Sequence, residues 1–571
     1  MKGSFLIACI AALSSAASAV HILFVDHSAP GGGTGESWDT AINDLSVALG
    51  MAATMPPAQV WVAAGTYRPD SGTGDREASF IVSPGVSLYG GFGGWESTLE
   101  QRNPLAQRTV LSGDIGLADQ PDDNSRHVVL VPAAVTASTV IDGFTIERGN
   151  ANGSVYPLDS GGGILIDGGS PTIRQCVIRF NTAKYGGGIY SRPGSPTIES
   201  CSLRQNIATA DGGGLNVNGS AVVRHSVFDA NRSNFGGGAV FCCGSSKVLD
   251  TTFTGNFANT GGGVFSPIGT LSVVRGVFEG NSAGNGGAVN SSSASSTFSA
   301  ALTTFTGNSA NIGGALHLTN APLLYSCVIS KNTSTQRGAG AYLQGSARFV
   351  NCTIFSNWSL TQGGGMYAAS GVPIISNCVL WSNADSQSST QASQLSGTAG
   401  LWTINASCIH GWTGSLGGVG NFGSSPPRFI DAAGADARLG TADDTFYLSP
   451  GSACIDAGNT SLLPADQWDL DADGDTAELA PLDFAGSVRV FDDPDAPDTG
   501  PGPGPHVDIG AYERQAACRV DFDGSGWVDI DDFIAFIAAF EAGDPAADYD
   551  QSGFVDLNDF DAFITDFALG C

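Results

Sequence analysis

Lysine is nearly missing from this chain. There are four among 571 residues, and only Lys184, Lys247 and Lys331 lie beyond the N-terminus. Arginine does not make up the deficit, because Lys and Arg together number 24 against 54 acidic residues. A chain so poor in cations has no basic face for a phosphate backbone, which excludes a nucleic-acid partner. Long apolar runs are also missing after the first twenty residues, which excludes a membrane span. Long runs with helical periodicity are absent, so the fold is not a helical solenoid. The seven histidines have no nucleophile-triad or metal-ligand spacing. What the chain has instead is glycine, 79 residues of it, and acid, for a formal charge of −30.

The acid is unevenly placed. Residues 1–430 carry 23 acids and 20 bases, a balance of −3; residues 431–571 carry 31 acids and 4 bases, a balance of −27. At the other end, Lys2 precedes an apolar stretch from Phe5 to Leu13 and the small residues Ala17-Ser18-Ala19. That order reads as an export signal at 1–19, so the mature protein is expected to be secreted.

Between Gly161 and Asn383 the chain repeats with a period near 25. Asn recurs at 181, 206, 231, 256, 281, 308, 332, 357 and 383. Three residues before each Asn stands a large apolar residue (Ile178, Leu203, Phe228, Phe253, Phe278, Phe305, Ile329, Ile354, Leu380), and five before it a small one, often Cys. Glycine clusters such as Gly186–Gly188 and Gly261–Gly263 open the next segment. Short β-branched stretches with alternating polarity and glycine bends predict three short strands per coil. Coils stacked at about 4.8 Å put equivalent residues on top of one another. The Asn column then becomes a ladder of amides, and the positions three and five before it point inward. Stacked Cys side chains are farther apart than a disulfide wants, so they read as small buried hydrophobes.

This pattern resembles the pectin-lyase-like right-handed parallel β-helix. It also resembles the repeats of polymorphic outer-membrane proteins, whose FxxN and GGA motifs are matched by FTGN (253–256), FEGN (278–281) and GGAV (286–289). Residues 20–150 read as an N-terminal cap and opening coils, with Asp44 to Thr54 as a capping helix, and 151–430 as the regular coils. The Ser/Gln/Thr-rich stretch 385–400 reads as a side loop. The segments LSPGSACIDAGN (448–459) and VDIGAYE (507–513) resemble the closing module of choice-of-anchor β-helix proteins, giving an acidic module over 431–514 and a linker over 515–517.

The last segment, 518–571, contains two twelve-residue acidic loops, DFDGSGWVDIDD from Asp521 and DYDQSGFVDLND from Asp548. Ca²⁺ takes six to eight oxygens, and such a loop presents them at alternate positions. The expected ligands are Asp521, Asp523, Ser525, the Trp527 carbonyl, Asp529 and Asp532 in the first loop. In the second they are Asp548, Asp550, Ser552, the Phe554 carbonyl, Asp556 and Asp559. Gly526 and Gly553 permit the turn. The alternative is a pair of acidic turns without metal. The helices that follow repeat as well: Phe533, Phe536, Ile537 and Phe540 return as Phe560, Phe563, Ile564 and Phe567. A further DxDxDG turn holds Asp469, Asp471, Asp473 and Asp475 as possible calcium ligands or as an Asx-turn loop, and Asp431, Asp436, Asp443 and Asp444 form a weaker cluster.

The paired loops, each followed by one helix, resemble a dockerin, and Gly570-Cys571 is similar to the GC-type ending of exported planctomycete proteins. The resemblance implies calcium-dependent folding, a cohesin-like partner at the cell surface, and a Cys518–Cys571 clasp where the module's ends meet. Loop positions 10 and 11 are Ile530–Asp531 and Leu557–Asn558, not the Ser/Thr-containing pair of cellulosomal dockerins. Catalysis finds little support. Lyases of this fold need a cationic base beside carboxylate-held Ca²⁺, hydrolases need paired carboxylates, and the repeat acids Asp211, Asp229, Asp250 and Glu279 stand apart. Arg174, Arg179, Arg204, Arg224 and Arg275 read as a solvated outer ladder. The expectation is a surface-attached, adhesin-like β-helix that binds a polysaccharide or another surface; the alternative is a polysaccharide lyase or glycoside hydrolase tethered by the same module.

Overall fold

The computed structural model describes residues 20–118, 120–387, 389–397, 402–441, 443–494, 496–515, 520, 522–523, 528, 530–549 and 552–569. The export signal expected at 1–19 lies outside them.

Short strands stack one coil apart, and every pairing between them is parallel. Ile164 sits beside Ile189 and Ile189 beside Leu215; Ile178 sits beside Leu203 and Leu203 beside Phe228. The chain is thus an all-β parallel β-helix with four ladders, one more than the three strands per coil expected, because a short strand also follows the Asn, as in Thr182–Ala183 beside Ile207–Ala208. Two of them merge into a 24-stranded sheet because strands Val240–Leu249 and Val264–Val274 run straight through the bend between them. The third ladder has 13 strands, so the coils extend upstream of the regular repeat.

Glycine makes the bends possible. In the coil that begins GGA, Gly286 has φ +64°, a left-handed conformation that a side chain disfavours. A Cβ on Gly287 would lie 2.2 Å from the carbonyl oxygen of Gly314 in the next coil, so only hydrogen fits there.

The interior follows the expected register. All nine Asn side chains are buried. Asn206 is typical: its Nδ2 donates to the Ile178 carbonyl at 2.8 Å and to Asn231 Oδ1 at 3.0 Å, while its Oδ1 accepts from Asn181 N–H and Nδ2. Each amide thereby satisfies backbone groups that the bend leaves unpaired. Phe228, Phe253, Phe278 and Phe305 stack face to face with centroids 5.1, 4.5 and 5.1 Å apart. The inward cysteines are buried and unpaired.

Both ends of the coil stack are covered. Helix α1 (Leu45–Ala52) caps the first coils; Asp44 accepts from the N–H groups of Ser46 and Val47, and Leu45, Ala48, Leu49 and Ala52 join the core. Trp402, Trp412 and Leu416 lie against the core at the far end. The described part of 385–400, residues 385–387 and 389–397, is not the side loop expected from its composition. Helix α2 (Gln391–Gln394) carries Gln394 inward, where its Oε1 accepts from Asn383 Nδ2 at 2.8 Å and terminates the amide ladder. A glutamine reaches from a shifted backbone to the place an Asn would fill, which composition cannot reveal.

The acidic module lies along the flank of the late coils. Tyr325 Oη donates to the Leu482 carbonyl at 2.8 Å, Asn351 Nδ2 to the Asp508 carbonyl at 2.9 Å, and Asn459 N–H to Asn377 Oδ1 at 2.9 Å. At its centre Arg489 and Glu513, both 0% exposed, form an ion pair at 3.0 Å, and Arg489 also donates to Ser326 Oγ of the coil beneath. Helices α3 (Ile530–Ala542) and α4 (Leu557–Leu569) form a separate cluster. Phe536 stacks on Phe563 at 3.9 Å, Phe533 meets Phe567 and Phe540 meets Phe560, as a two-fold relation between the duplicated units requires.

Candidate functional site: an outward aromatic column and the acidic loops

One outward position of the first ladder carries rings coil after coil. It lies four residues after the left-handed glycine that opens each coil, and reads Tyr190, Asn216, Phe241, Phe265, Asn290, His317, Tyr342 and Tyr367. Consecutive members are direct ladder neighbours, from Tyr190 beside Asn216 to Tyr342 beside Tyr367. The residue before each points into the core (Ile189, Leu215, Val240, Val264, Val289, Leu316, Ala341, Met366), so strand alternation turns the column outward. Its members are buried or half-buried because the bend before each strand stands against them; the Phe265 ring lies beside Gly236.

The rings hold one another in fixed planes. Tyr342 and Tyr367 stack at 5.6 Å and 5°, Phe241 meets Phe265 edge-on at 5.6 Å, and His317 meets Tyr342 edge-on at 4.9 Å. Arg337 lies over the Tyr367 ring at 4.9 Å. His317 contacts Asn290 Nδ2 at 3.3 Å and Gln344 Oε1 at 3.1 Å, and burial lowers its pKa, so it is neutral near pH 7. Asp211 stands on the bend beside the column; burial raises its pKa, and one oxygen accepts the Gly236 N–H at 2.9 Å. The four half-buried rings, Phe241, Phe265, His317 and Tyr342, held by buried neighbours, can stack against ring-shaped, hydroxyl-rich ligands. Sequence reasoning missed this column. The signal was there in the constant offset of four from the bend glycine, but the rings alternate with Asn and His and make no motif.

Four of the five arginines expected as a solvated ladder, all but Arg204, are paired across coils instead. Arg174 and Arg102 both meet Asp142, Arg179 meets Glu147 at 2.7 Å, Arg224 meets Glu199 at 3.1 Å and Arg275 meets Asp250 at 2.7 Å. Most have an acid as ladder neighbour one coil earlier, so they tie rungs together.

Among the described residues, three groups of carboxylates offer oxygens within 4.8 Å of one another, and all lie in the acidic module. One is Asp469, Asp471 and Asp473, from the DxDxDG turn; Asp475 accepts the Ala477 N–H. The second joins Asp471 to Asp466 and Glu478, which the sequence did not single out. The third, Asp456 with Asp492 and Asp498, spans 42 residues and has no local motif. Asp431, Asp436, Asp443 and Asp444 form no such group; Asp443 and Asp444 accept the N–H groups of Asp436 and Gly440 and hold their own loop.

Of the C-terminal loops, Asp521, Ser525, Trp527, Asp529, Asp550 and both Cys518 and Cys571 lie outside the described residues. In the first loop Asp532 is buried and accepts the Asp523 N–H at 3.0 Å. In the second, Asp548 Oδ2 accepts the Gly553 N–H at 2.8 Å, and Asp548 Oδ1 is buried with no hydrogen-bond partner. Asp559 is buried and accepts the Asp556 N–H at 2.7 Å, while Ser552 Oγ lies 3.2 Å from the Phe554 carbonyl. An orphaned carboxylate oxygen in an all-oxygen loop fits a hard cation. Ile530 and Leu557, equivalent across the duplication, are 63% and 73% exposed.

No family model and no curated protein matches the chain. A crystal structure of pectate lyase Pel9A aligns over 87% of this chain and 96% of that one, at 14% identity and a TM-score of 0.38. That likeness is too low to bear on chemistry, and the β-helix stands on its own strand register.

Proposed function

We propose that the protein is an exported β-helix that binds a polysaccharide along the aromatic column and is held at the cell surface through its paired C-terminal loops. The single observation that carries the binding reading is the column itself: six rings among eight successive outward positions of one ladder. Stacked coils repeat at about 4.8 Å, so a chain-like ligand lying along the axis meets the half-buried rings of Phe241, Phe265, His317 and Tyr342, while Tyr190, Asn216, Asn290 and Tyr367 are buried behind them. A neutral His317 and a guanidinium over Tyr367 favour a neutral or mildly acidic glycan.

Attachment is assigned to the dockerin-like segment. Calcium would be held by Asp521, Asp523, Ser525, the Trp527 carbonyl, Asp529 and Asp532 in one loop, and by Asp548, Asp550, Ser552, the Phe554 carbonyl, Asp556 and Asp559 in the other. Bound there, it neutralises a crowd of carboxylates and lets the two helices pack. The exposed Ile530 and Leu557 then offer a symmetric apolar pair to a cohesin-like or other surface protein. Cell fractionation tests this half: Ile530→Asp with Leu557→Asp should leave the protein folded but shed into the medium. Retention of that variant would place attachment elsewhere.

The enzyme reading, a lyase or hydrolase on the same column, keeps its own test. Unsaturated products or new reducing ends from a polysaccharide panel would establish it over simple binding.

A further inference from the structure

We propose that Asp456, Asp492 and Asp498 form a calcium site in the acidic module, fastening the loop that bears Asp492 and Asp498 to the turn that bears Asp456. One carboxylate oxygen from each lies within 4.8 Å of the others. That spacing fits inside a calcium shell, whose diameter is roughly 4.6–5.2 Å for Ca–O distances of 2.3–2.6 Å. Carboxylates alone, without thiolate or imidazole, suit a hard cation.

Proximity of acids would not by itself make a site; the second observation is the state of Asp456. It is 0% exposed, and neither of its carboxylate oxygens has a hydrogen-bond partner. The other buried acids around it are provided for. Asp508 accepts the N–H groups of Asp456 and Arg514, Asp483 those of Ser487 and Glu513, and Asp493 pairs with the Arg514 guanidinium. Arg489 is committed to Glu513. A buried carboxylate that faces two more carboxylates and no donor is unfavourable unless something positive lies between them. Burial, then Asp508, Asp492 and Asp498, push its pKa up to about 7.

The backbone brings the partners together. The Asp456 carbonyl accepts from the N–H groups of both Thr499 and Gly500 at 3.0 Å, which sets Asp498 beside it. The same turn touches the coils, since Asn459 bonds Asn377 and Gly510 N–H bonds the Asn377 carbonyl. A cation here therefore stiffens the module where it grips the solenoid, independently of the C-terminal loops.

The test uses the full chain carrying Asp471→Asn, Asp521→Ala and Asp548→Ala, which weakens the other acidic loops. Bound calcium is counted after equilibrium dialysis, with and without Asp456→Asn. The expected result is the loss of one calcium per chain on adding Asp456→Asn, and at least a tenfold weaker site with Asp498→Asn. Equal calcium in both proteins, or none in the background, overturns the proposal. Melting in EDTA guards against misfolding: Asp456→Asn should melt no lower than the background there. If it does melt lower, the exposed pair Asp492→Asn and Asp498→Asn decides, and unchanged calcium in both overturns the site.

Discussion

At the scale of single residues, the buried polar groups decide more than the apolar ones. Arg489 and Glu513 are both fully enclosed and join the acidic module to Ser326 of the coil stack. Removing one partner of such a pair leaves a charge that cannot reach water. Arg489→Met should cost about 3–5 kcal/mol, read as a lower urea midpoint with loss of the module's protease resistance. Nothing in the sequence marked Arg489 as special. It is one of four bases in the last 141 residues, and its partner lies 24 positions away. The Asn column was legible because its partners repeat at one interval. His127 sets a pH dependence: it is buried, its Nδ1 lies 3.0 Å from the Gly161 carbonyl, and burial lowers its pKa. The unfolded chain therefore takes up this proton first as pH falls. The stability His127 contributes is complete above its unfolded pKa of about 6.5 and is lost on acidification below it. Melting temperatures between about pH 7 and pH 5 should fall more steeply in the wild type than in His127→Asn; parallel curves would mean that His127 charges as readily folded as unfolded.

At the scale of elements, the repeat was readable because every coil solves the same problem with the same residues. The bend needs a left-handed residue, then a small one, and the sequence answers with GG at every turn from Gly186 to Gly364 except Gly338-Ala339. The inward column needs a large side chain three before the Asn, and Phe228 to Phe305 supply it. Phe253 stacks on both neighbours and is 0% exposed, so Phe253→Ala opens a cavity between two rings and should cost about 3–5 kcal/mol. A variant that melts with the wild type would put that column outside the core. Elements built from non-repeating residues were not readable. Helix α2 looked like a polar side loop because its inward Gln394 and Ser393 are polar, and only the position of Asn383 explains them. The aromatic column escaped notice for a related reason: the position is constant, but its chemistry changes from ring to amide and back.

At the scale of the whole molecule, the two charge regimes correspond to two kinds of structure. The nearly neutral part is the coil stack, where ion pairs such as Arg179–Glu147, Arg224–Glu199 and Arg275–Asp250 tie one rung to the next. The acidic part divides into a flank module, tied to the coils by Arg489, Tyr325, Asn351 and Asn377, and the paired helices, whose aromatic cluster is their own. The sequence placed the acidic module after the last coil, and chain order alone cannot say that it folds back along the late ones. Because the helix pair has its own core, deleting 516–571 should leave the melting of the coils within about 2 °C of the full chain, on the order of a 2 kcal/mol change for a unit of this length. A large drop would mean that the helices brace the coils. With the full chain on cells, EDTA should release intact protein; retention in EDTA would move attachment onto the β-helix.

The central claim is that the outward rings bind a glycan, and affinity electrophoresis through polysaccharide-containing gels tests it most directly. The wild type should be retarded by at least one polysaccharide of a neutral and acidic panel. Phe241→Ala with Tyr342→Ala, both half-buried on the outer face, should run freely while keeping its circular dichroism and melting temperature. Equal retardation of the wild type and the double variant, or no retardation in any gel, would contradict the account.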